Sequence, residues 1–328
     1  MRKWTLALAL CLLLTACSGG EKADAPSSLL GGAADVEEDA VLLTVDGREV
    51  PAWRYLYWLA RTCDYLQERY EAAGLTLDWS APLEGGTLAD YAKDQALANT
   101  VLYAAVENRA EAEGLSLTEG DMAALAAAWE ETAEDAGGEE AYLSDLAALG
   151  LDRARADELS GTGRLYAKLY ARYESAEAAS WETGEGPLTV NRILVAAGEN
   201  RDAAREKAAE IFSQLNRAED AAEVFASLAA QGDDPAGPRA VSGSGLDPSL
   251  EDAASALEMG QYSGILESGE GFSILMRCEA DAGEVMAERF DAQLQQAAEE
   301  AVVQTTEAYD RLEAGDFAAG LRRGRRAL

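Results

Sequence analysis

The sequence contains no histidine among its 328 residues. Because imidazole is the usual base of Ser and Cys nucleophiles and a common zinc ligand, Ser–His and Cys–His hydrolases and His-ligated zinc sites are excluded. Positive charge is also scarce, with 27 Lys and Arg against 60 Asp and Glu, a formal net charge of −33. A chain of that charge is repelled by a phosphate backbone, so nucleic acid is not an expected partner.

Cysteine is nearly as scarce, with four in the whole chain. Outside the N-terminal region only Cys63 and Cys278 remain, and both lie in apolar patterns. We favour two separate buried thiols, although an oxidising compartment would permit a disulfide. Acidic clusters such as 130–135 lack the spacing of a calcium-binding loop. We therefore expect solvated helix faces there, and neither a metal nor a cofactor.

Only one long apolar run is present, Trp4–Leu14, behind a short basic start. It is about half the length of a membrane-spanning helix, so it is typical of a signal peptide. It ends in Leu14-Thr-Ala-Cys17, which resembles the lipobox of bacterial lipoproteins. This resemblance implies cleavage before Cys17, a lipid on its sulfur, and attachment to the extracytoplasmic face of the cell membrane through the lipid alone. Residues 17–39, rich in Gly, Ser, Ala and acids, are then predicted to be a flexible tether.

Helical patterns dominate up to about residue 178. They follow a predicted hairpin, Val41–Val45 and Arg48–Val50, whose Asp46-Gly47 turn suits positive φ. Helix starts are predicted at Thr87 and at Thr118, since each can cap a following helix. One helix is unusually aromatic, and core packing is the favoured reading of its side chains, Trp53, Tyr55, Tyr57 and Trp58.

A different pattern begins at Leu188. The predicted order is a strand to Val195, two helices, a loop, a short helix and two strands, which together make a small α+β domain. One further helix is predicted over Val285–Ala314, with apolar residues on one face. The Arg-rich residues 317–328 are predicted to be a frayed basic tail, with contact to anionic lipid or cell-wall polymers left open.

Residues 188–280 resemble a parvulin-type (PpiC) peptidyl-prolyl isomerase domain. The resemblance lies in Ile193-Leu-Val195, the Gly260-Gln-Tyr-Ser263 turn and Gly271-Phe-Ser-Ile-Leu275, among other segments. The Val41–Pro51 hairpin and Gly114-Leu-Ser-Leu-Thr118 resemble the opening of SurA- and PrsA-type extracytoplasmic foldases.

This resemblance implies an α+β fold in which a parvulin-like domain is inserted into a mostly helical chaperone domain. The predicted segments are a signal peptide at 1–16, the tether at 17–39, the chaperone domain at 40–183, the parvulin-like domain at 184–283, a helix that packs on the chaperone domain at 284–316, and the tail at 317–328.

The resemblance also implies the site, and the sequence departs from the family there. Parvulins usually carry two histidines, and Arg192 and Ser273 stand at their positions. The apolar residues of the proline pocket correspond to Leu246 and Leu250, for which a place in the ordinary core is an equal alternative. The acid beside the pocket corresponds to Asp234, the candidate catalytic residue. The predicted peptide-binding set is therefore Arg192, Leu246, Leu250 and Ser273.

Three functions stay open at this point. The first is a foldase that holds unfolded or proline-containing secreted polypeptides and has lost most of its isomerase activity. The second is a working isomerase that tolerates the missing histidines. The third is a scaffolding lipoprotein that uses the fold for protein contacts.

Overall fold

The structure is a computed structural model, and it describes residues 29–83, 85–181, 188–198, 200–235, 237–241, 246–279 and 282–328. Up to residue 181 the elements are α1 (Leu29–Ala34), β1 (Val41–Val45), β2 (Arg48–Pro51), α2 (Ala52–Ala72), β3 (Pro82–Leu83), β4 (Gly86–Thr87), α3 (Leu88–Ala112), α4 (Glu119–Asp135), α5 (Glu139–Ala148) and α6 (Arg153–Trp181). From residue 188 they are β5 (Thr189–Ala196), α7 (Arg201–Leu215), α8 (Ala221–Ala230), β6 (Arg239–Ala240), α9 (Pro248–Ser255), β7 (Leu266–Glu267), β8 (Gly271–Cys278), α10 (Ala282–Glu300), β9 (Val303–Thr305), α11 (Glu307–Asp310) and α12 (Ala314–Arg325).

The chain forms two compact units. The described part of unit 1 comprises residues 29–169 and 293–328, and unit 2 comprises residues 170–292. Helices α6 and α10 each begin in one unit and end in the other. A mostly helical unit whose two parts flank a small mixed unit in the sequence confirms the predicted α+β fold class. The predicted boundary at 184 lies outside the described residues, and the one at 284 lies within α10.

Unit 1 is a helical core with a small antiparallel sheet in the order β2-β1-β9. The predicted hairpin is confirmed, since Asp46 and Gly47 take φ of 51° and 83° in its turn. Both predicted caps are confirmed as well. Thr87 exchanges hydrogen bonds with Asp90, and Thr118 does so with Asp121.

Four aromatic residues of α2 lie in or against the core of unit 1, as predicted. Trp53, Tyr55 and Tyr57 are at most 3% exposed. Trp58 is half-buried, and its ring centroid lies 4.9 Å from that of Tyr103. No described helix has the length and apolar content needed to cross a membrane.

The predicted tether is wrong from Leu29 onward. Residues 29–34 form α1, in which Leu29 and Leu30 are buried, and α1 packs against α12. The Gly-, Ser- and Ala-rich composition predicts a tether, but small residues also permit close helix packing. Cα of Ala33, for example, lies 2.9 Å from where a Cβ on Gly320 would be. The remainder of the tether, with Cys17 and the signal peptide, lies outside the described residues.

The predicted single helix over Val285–Ala314 is also wrong. Helix α10 ends at Glu300, and β9 then pairs with β1 through Val303 opposite Val45. The segment 302–306 is rich in β-branched residues, which favour a strand even when their spacing also fits a helix.

The predicted basic tail is corrected too, because residues 314–325 form the ordered helix α12. Its side chains Phe317 and Leu321 are each 1% exposed. Arg325 forms a bidentate ion pair with Asp64 of α2, with nitrogen–oxygen distances of 2.7 and 2.8 Å. The run of arginines predicts an exposed tail, whereas the apolar residues just before it determine how the helix packs.

Unit 2 is built on an antiparallel sheet in the order β6-β5-β8-β7. Strands β5 and β8 pair along their whole length, from Thr189 opposite Cys278 to Ala196 opposite Gly271. One face of this pair, with Ile193, Val195 and Phe272, is covered by α7 and α8. The opposite face carries Val190, Arg192, Ser273 and Leu275, and α9 packs on part of it.

Candidate functional site

The candidate site is the α9-covered face of the sheet in unit 2. Arg192 lies on β5 and Ser273 on β8, and the strand register places Leu194 opposite Ser273 and Arg192 opposite Leu275. Because side chains alternate along a strand, Arg192 and Ser273 project from the same face as diagonal neighbours. Both are buried, with 4% and 0% exposure.

Arg192 is the centre of a polar network. Its Nε donates to Oγ of Ser273 at 3.0 Å. Its Nη1 donates to Oδ2 of Asp234 at 3.4 Å, and its Nη2 donates to Oε2 of Glu270 at 2.6 Å. Asp234 Oδ1 in turn accepts from Nη2 of Arg239 at 2.9 Å. The network holds two guanidinium groups against two carboxylates, so its formal charges balance.

Local backbone geometry positions the two carboxylates. The residue before Asp234, Asp233, lies beside β5, where its N–H donates to the carbonyl of Leu194 at 3.0 Å. Glu270 precedes Gly271, whose φ is 148° and where a Cβ would lie 2.2 Å from the carbonyl oxygen of Val195. A side chain at position 271 would clash with backbone, so glycine is required where the chain enters β8.

Leu246 and Leu250 share this face with Arg192 but are part of a packed core. They are 8% and 1% exposed and belong to a cluster with Val190, Leu257 and Leu275, among others. In this arrangement the two leucines contribute to the stability of unit 2. Their predicted contact with a proline ring therefore requires α9 to move, and it stays a prediction.

The chemistry of the network follows from its groups. A guanidinium keeps its proton at all physiological pH values and only donates hydrogen bonds. The Ser273 hydroxyl is neutral, and the Asp234 carboxylate accepts from Arg192 and from Arg239. The network can hold a carbonyl or carboxylate oxygen through its guanidinium groups, but a guanidinium and a hydroxyl replace the two imidazoles that the family resemblance predicts. Within the described residues, no group of three or more Cys, Asp or Glu could hold a metal ion.

The sequence pointed to three members of this network, Arg192, Asp234 and Ser273, and the structure brings them together. It missed Glu270 and Arg239. Glu270 was visible only as part of a Gly-rich turn, and its approach to Arg192 depends on the β5–β8 register. Arg239 lies five residues after Asp234, in a segment predicted to be an irregular loop.

A comparison with protein-family models matches residues 188–279 to the family described as Rotamase, PPIC-type PPIASE domain. This match confirms the resemblance inferred from the sequence for this domain. No curated protein sequence matches the chain.

Several solved structures of foldases and chaperones are similar to the chain. PrsA of Bacillus subtilis is 16% identical, with 80% of this chain and 92% of that one covered, at a TM-score of 0.28. The foldase PrsA of Lactococcus lactis is 12% identical, with 87% and 99% covered, at 0.27. A structure of the SurA-like chaperones PEB4 and Cj1289 of Campylobacter jejuni is 10% identical, with 82% and 99% covered, at 0.23.

Proposed function

Taking the PPIC-type domain at residues 188–279 as the premise, we propose that this chain is an extracytoplasmic foldase. It holds unfolded secreted polypeptides, is anchored by a lipid on Cys17, and isomerises prolyl bonds weakly or not at all. The observation that carries the proposal is the Arg192–Ser273 pair, which occupies the two positions where the parvulin resemblance expects histidine.

Reduced catalysis follows from the chemistry of that pair. Rotation about a peptide bond has a barrier of about 18–20 kcal/mol. Assistance by a proton-exchanging group typically contributes factors of about 10² to 10⁴. Neither a guanidinium nor a serine hydroxyl supplies such assistance near neutral pH, and Asp234 is engaged by two arginines. Binding of extended chains needs only exposed apolar and polar surface, which this loss leaves intact.

The lipid anchor has separate support in the sequence. The apolar run Trp4–Leu14 ends in Leu14-Thr-Ala-Cys17, and polar residues follow it. A Cys17→Ser chain should stay uncleaved by the lipoprotein peptidase and should not incorporate a fatty-acid probe. Normal probe incorporation into that variant would contradict anchoring at Cys17.

The test of the proposed function has two arms, both on the full chain. In the first, cis–trans isomerisation of a proline tetrapeptide should proceed at close to its uncatalysed rate. In the second, substoichiometric to equimolar protein should suppress the light scattering of an aggregating unfolded client. Asp234→Asn is the matched variant, because it removes the charge of the candidate catalytic residue at nearly constant volume.

Each other outcome replaces the proposal with a named alternative. Rapid isomerisation that falls with Asp234→Asn would establish a working isomerase. Rapid isomerisation unchanged by that variant would place the catalytic group elsewhere and would also contradict our proposal. An uncatalysed isomerisation rate together with unsuppressed light scattering would favour the scaffolding lipoprotein.

A further inference from the structure

Four arginines cluster at the C-terminal end of α12. Arg322, Arg323, Arg325 and Arg326, here called the basic end, fall within residues 317–328, which contain no acid. In a chain with a formal net charge of −33, such a cluster is exceptional. Its position is fixed, because Phe317 and Leu321 of the same helix are buried in the core of unit 1.

Three of the four arginines are exposed. Arg325 is half-buried and neutralises Asp64 through its bidentate ion pair. Arg322, Arg323 and Arg326 are exposed, and among the described residues Arg322 contacts Oε1 of Gln67 at 3.5 Å. These three guanidinium groups are the ones able to bind an external anion.

The cavity beside Arg322 and Arg325, of about 420 Å³, does not account for the cluster. Its charged lining consists of three arginines and three acids: Arg61, Arg322, Arg325, Asp64, Glu68 and Asp145. The cavity lining is therefore balanced in charge, and Arg323 and Arg326, which do not line it, add net positive charge at the end of the helix.

The basic end lies beside the residue where the described chain begins. A Cβ on Gly324 would lie 2.5 Å from Cδ1 of Leu29, so Leu29 contacts the middle of the Arg322–Arg326 run. This contact holds the start of α1 against the end of α12. Any segment that enters unit 1 from its N-terminal side reaches the body at the basic end.

That segment is short if Cys17 carries the lipid. Eleven residues, 18–28, separate Cys17 from Leu29. Eleven residues span at most about 40 Å at full extension. Electrostatic attraction in physiological salt decays over about 8 Å, so an anchor within this reach allows the adjoining surface of unit 1 to enter the attractive zone. The position of the anchor therefore determines which surface of unit 1 faces the membrane.

We propose that the basic end is a membrane-facing surface that binds the headgroups of anionic phospholipids and orients unit 1 on the membrane. This inference rests on the proposed anchor at Cys17 and is independent of the proposed isomerase and chaperone properties. The rest of the strongly acidic chain is repelled by the same lipids, so attraction at one end and repulsion elsewhere both favour one orientation. Each exposed Arg near the surface raises the membrane-binding constant about fivefold, and three together raise it on the order of a hundredfold.

The experiment uses the full lipidated chain, reconstituted into vesicles that contain a photoactivatable phosphatidylglycerol. One set of vesicles holds 30 mol% phosphatidylglycerol in phosphatidylcholine, and the other holds only a trace of the photoactivatable lipid. After irradiation, mass spectrometry identifies the cross-linked peptides. We expect cross-links concentrated in residues 317–328 with the anionic vesicles, and their loss in 0.5 M NaCl. The mass of the N-terminal peptide checks the lipid on Cys17 separately.

A triple variant and a charge-matched control make the test specific. Arg322→Gln with Arg323→Gln and Arg326→Gln should reduce the cross-links to background. Lys207→Gln with Arg217→Gln and Arg311→Gln removes the same charge from other exposed positions and should leave them unchanged. Cross-links spread over the whole surface, or retained in the first variant, would overturn the proposal. Cross-links lost equally in both variants would also overturn it. So would binding of the basic end to a soluble cell-wall polyanion with no preference for anionic vesicles.

Discussion

Phe317 of α12 offers a direct test of how the end of the chain contributes to the fold. Its side chain is 1% exposed within the core of unit 1. Replacing a buried Phe by Ala costs about 3–5 kcal/mol, which is a large part of the stability of an ordinary domain. Phe317→Ala should therefore destabilise helices that are more than 200 residues away in sequence.

Hydrogen exchange measured by mass spectrometry resolves this effect by segment. A loss of about 3–5 kcal/mol accelerates exchange that requires unfolding of unit 1 by roughly 10²- to 10⁴-fold. We expect this acceleration in peptides from α2 and α3. Peptides from β5 and β8 should keep their wild-type rates if unit 2 unfolds separately.

Two control variants define the result. Arg323→Gln changes an exposed residue on the same helix and should leave exchange in α2 unchanged. Phe225→Ala removes a fully buried ring from unit 2 and should accelerate exchange in β5 and β8 instead. Unchanged protection of α2 and α3 in Phe317→Ala would refute the reasoning and would return residues 314–325 to the role of a dispensable tail.

Three further results are expected. Burial raises the pKa of the Cys63 thiol to about 12, so iodoacetamide at pH 8 should alkylate Cys63 only after denaturation, and rapid native labelling would contradict its burial. The hydrogen bond from Lys168, followed by those from Thr118 and Arg164, lowers the pKa of Asp121 below its usual range, so its contribution to stability is complete above about pH 4 and is lost as pH falls further. Asp121→Asn should therefore flatten the acid dependence of unit 1 unfolding, and an unchanged acid profile would exclude this role. Arg192→Met should destabilise unit 2 by only about 1.5–3 kcal/mol in urea titrations, because the partly exposed Asp234 and Glu270 can rehydrate. It should not raise isomerase activity, and a gain in activity would show that Arg192 blocks a competent site.

The sequence predicted the elements whose signals are local. The Asp46-Gly47 turn, the caps at Thr87 and Thr118 and the β5 and β8 strands each depend on a few adjacent residues, and all were found. The elements that it did not predict depend on distant partners. Strand β9 is a strand because Val303 pairs with Val45, and α1 is ordered because Leu29 and Ala33 contact α12.

The candidate site divides in the same way. Arg192 and Ser273 could be placed from the strand motifs that surround them. Glu270 and Arg239 required the register between strands and the course of the loop after α8, which a single sequence does not encode in a short pattern. Leu246 and Leu250 share the face that carries Arg192, but their burial depends on the packing of α9.

The pairing of β9 with β1 has a consequence for the order in which the chain acquires its structure as it is made. More than 250 residues separate Val45 from Val303, and α12 follows later still. The helices of unit 1 therefore emerge long before the segments that complete their core, whereas the strands of unit 2 emerge together. Until the last segments arrive, the newly made chain presents incompletely covered apolar surface. A protein that we propose to protect unfolded chains would thus itself pass through a stage that needs such protection.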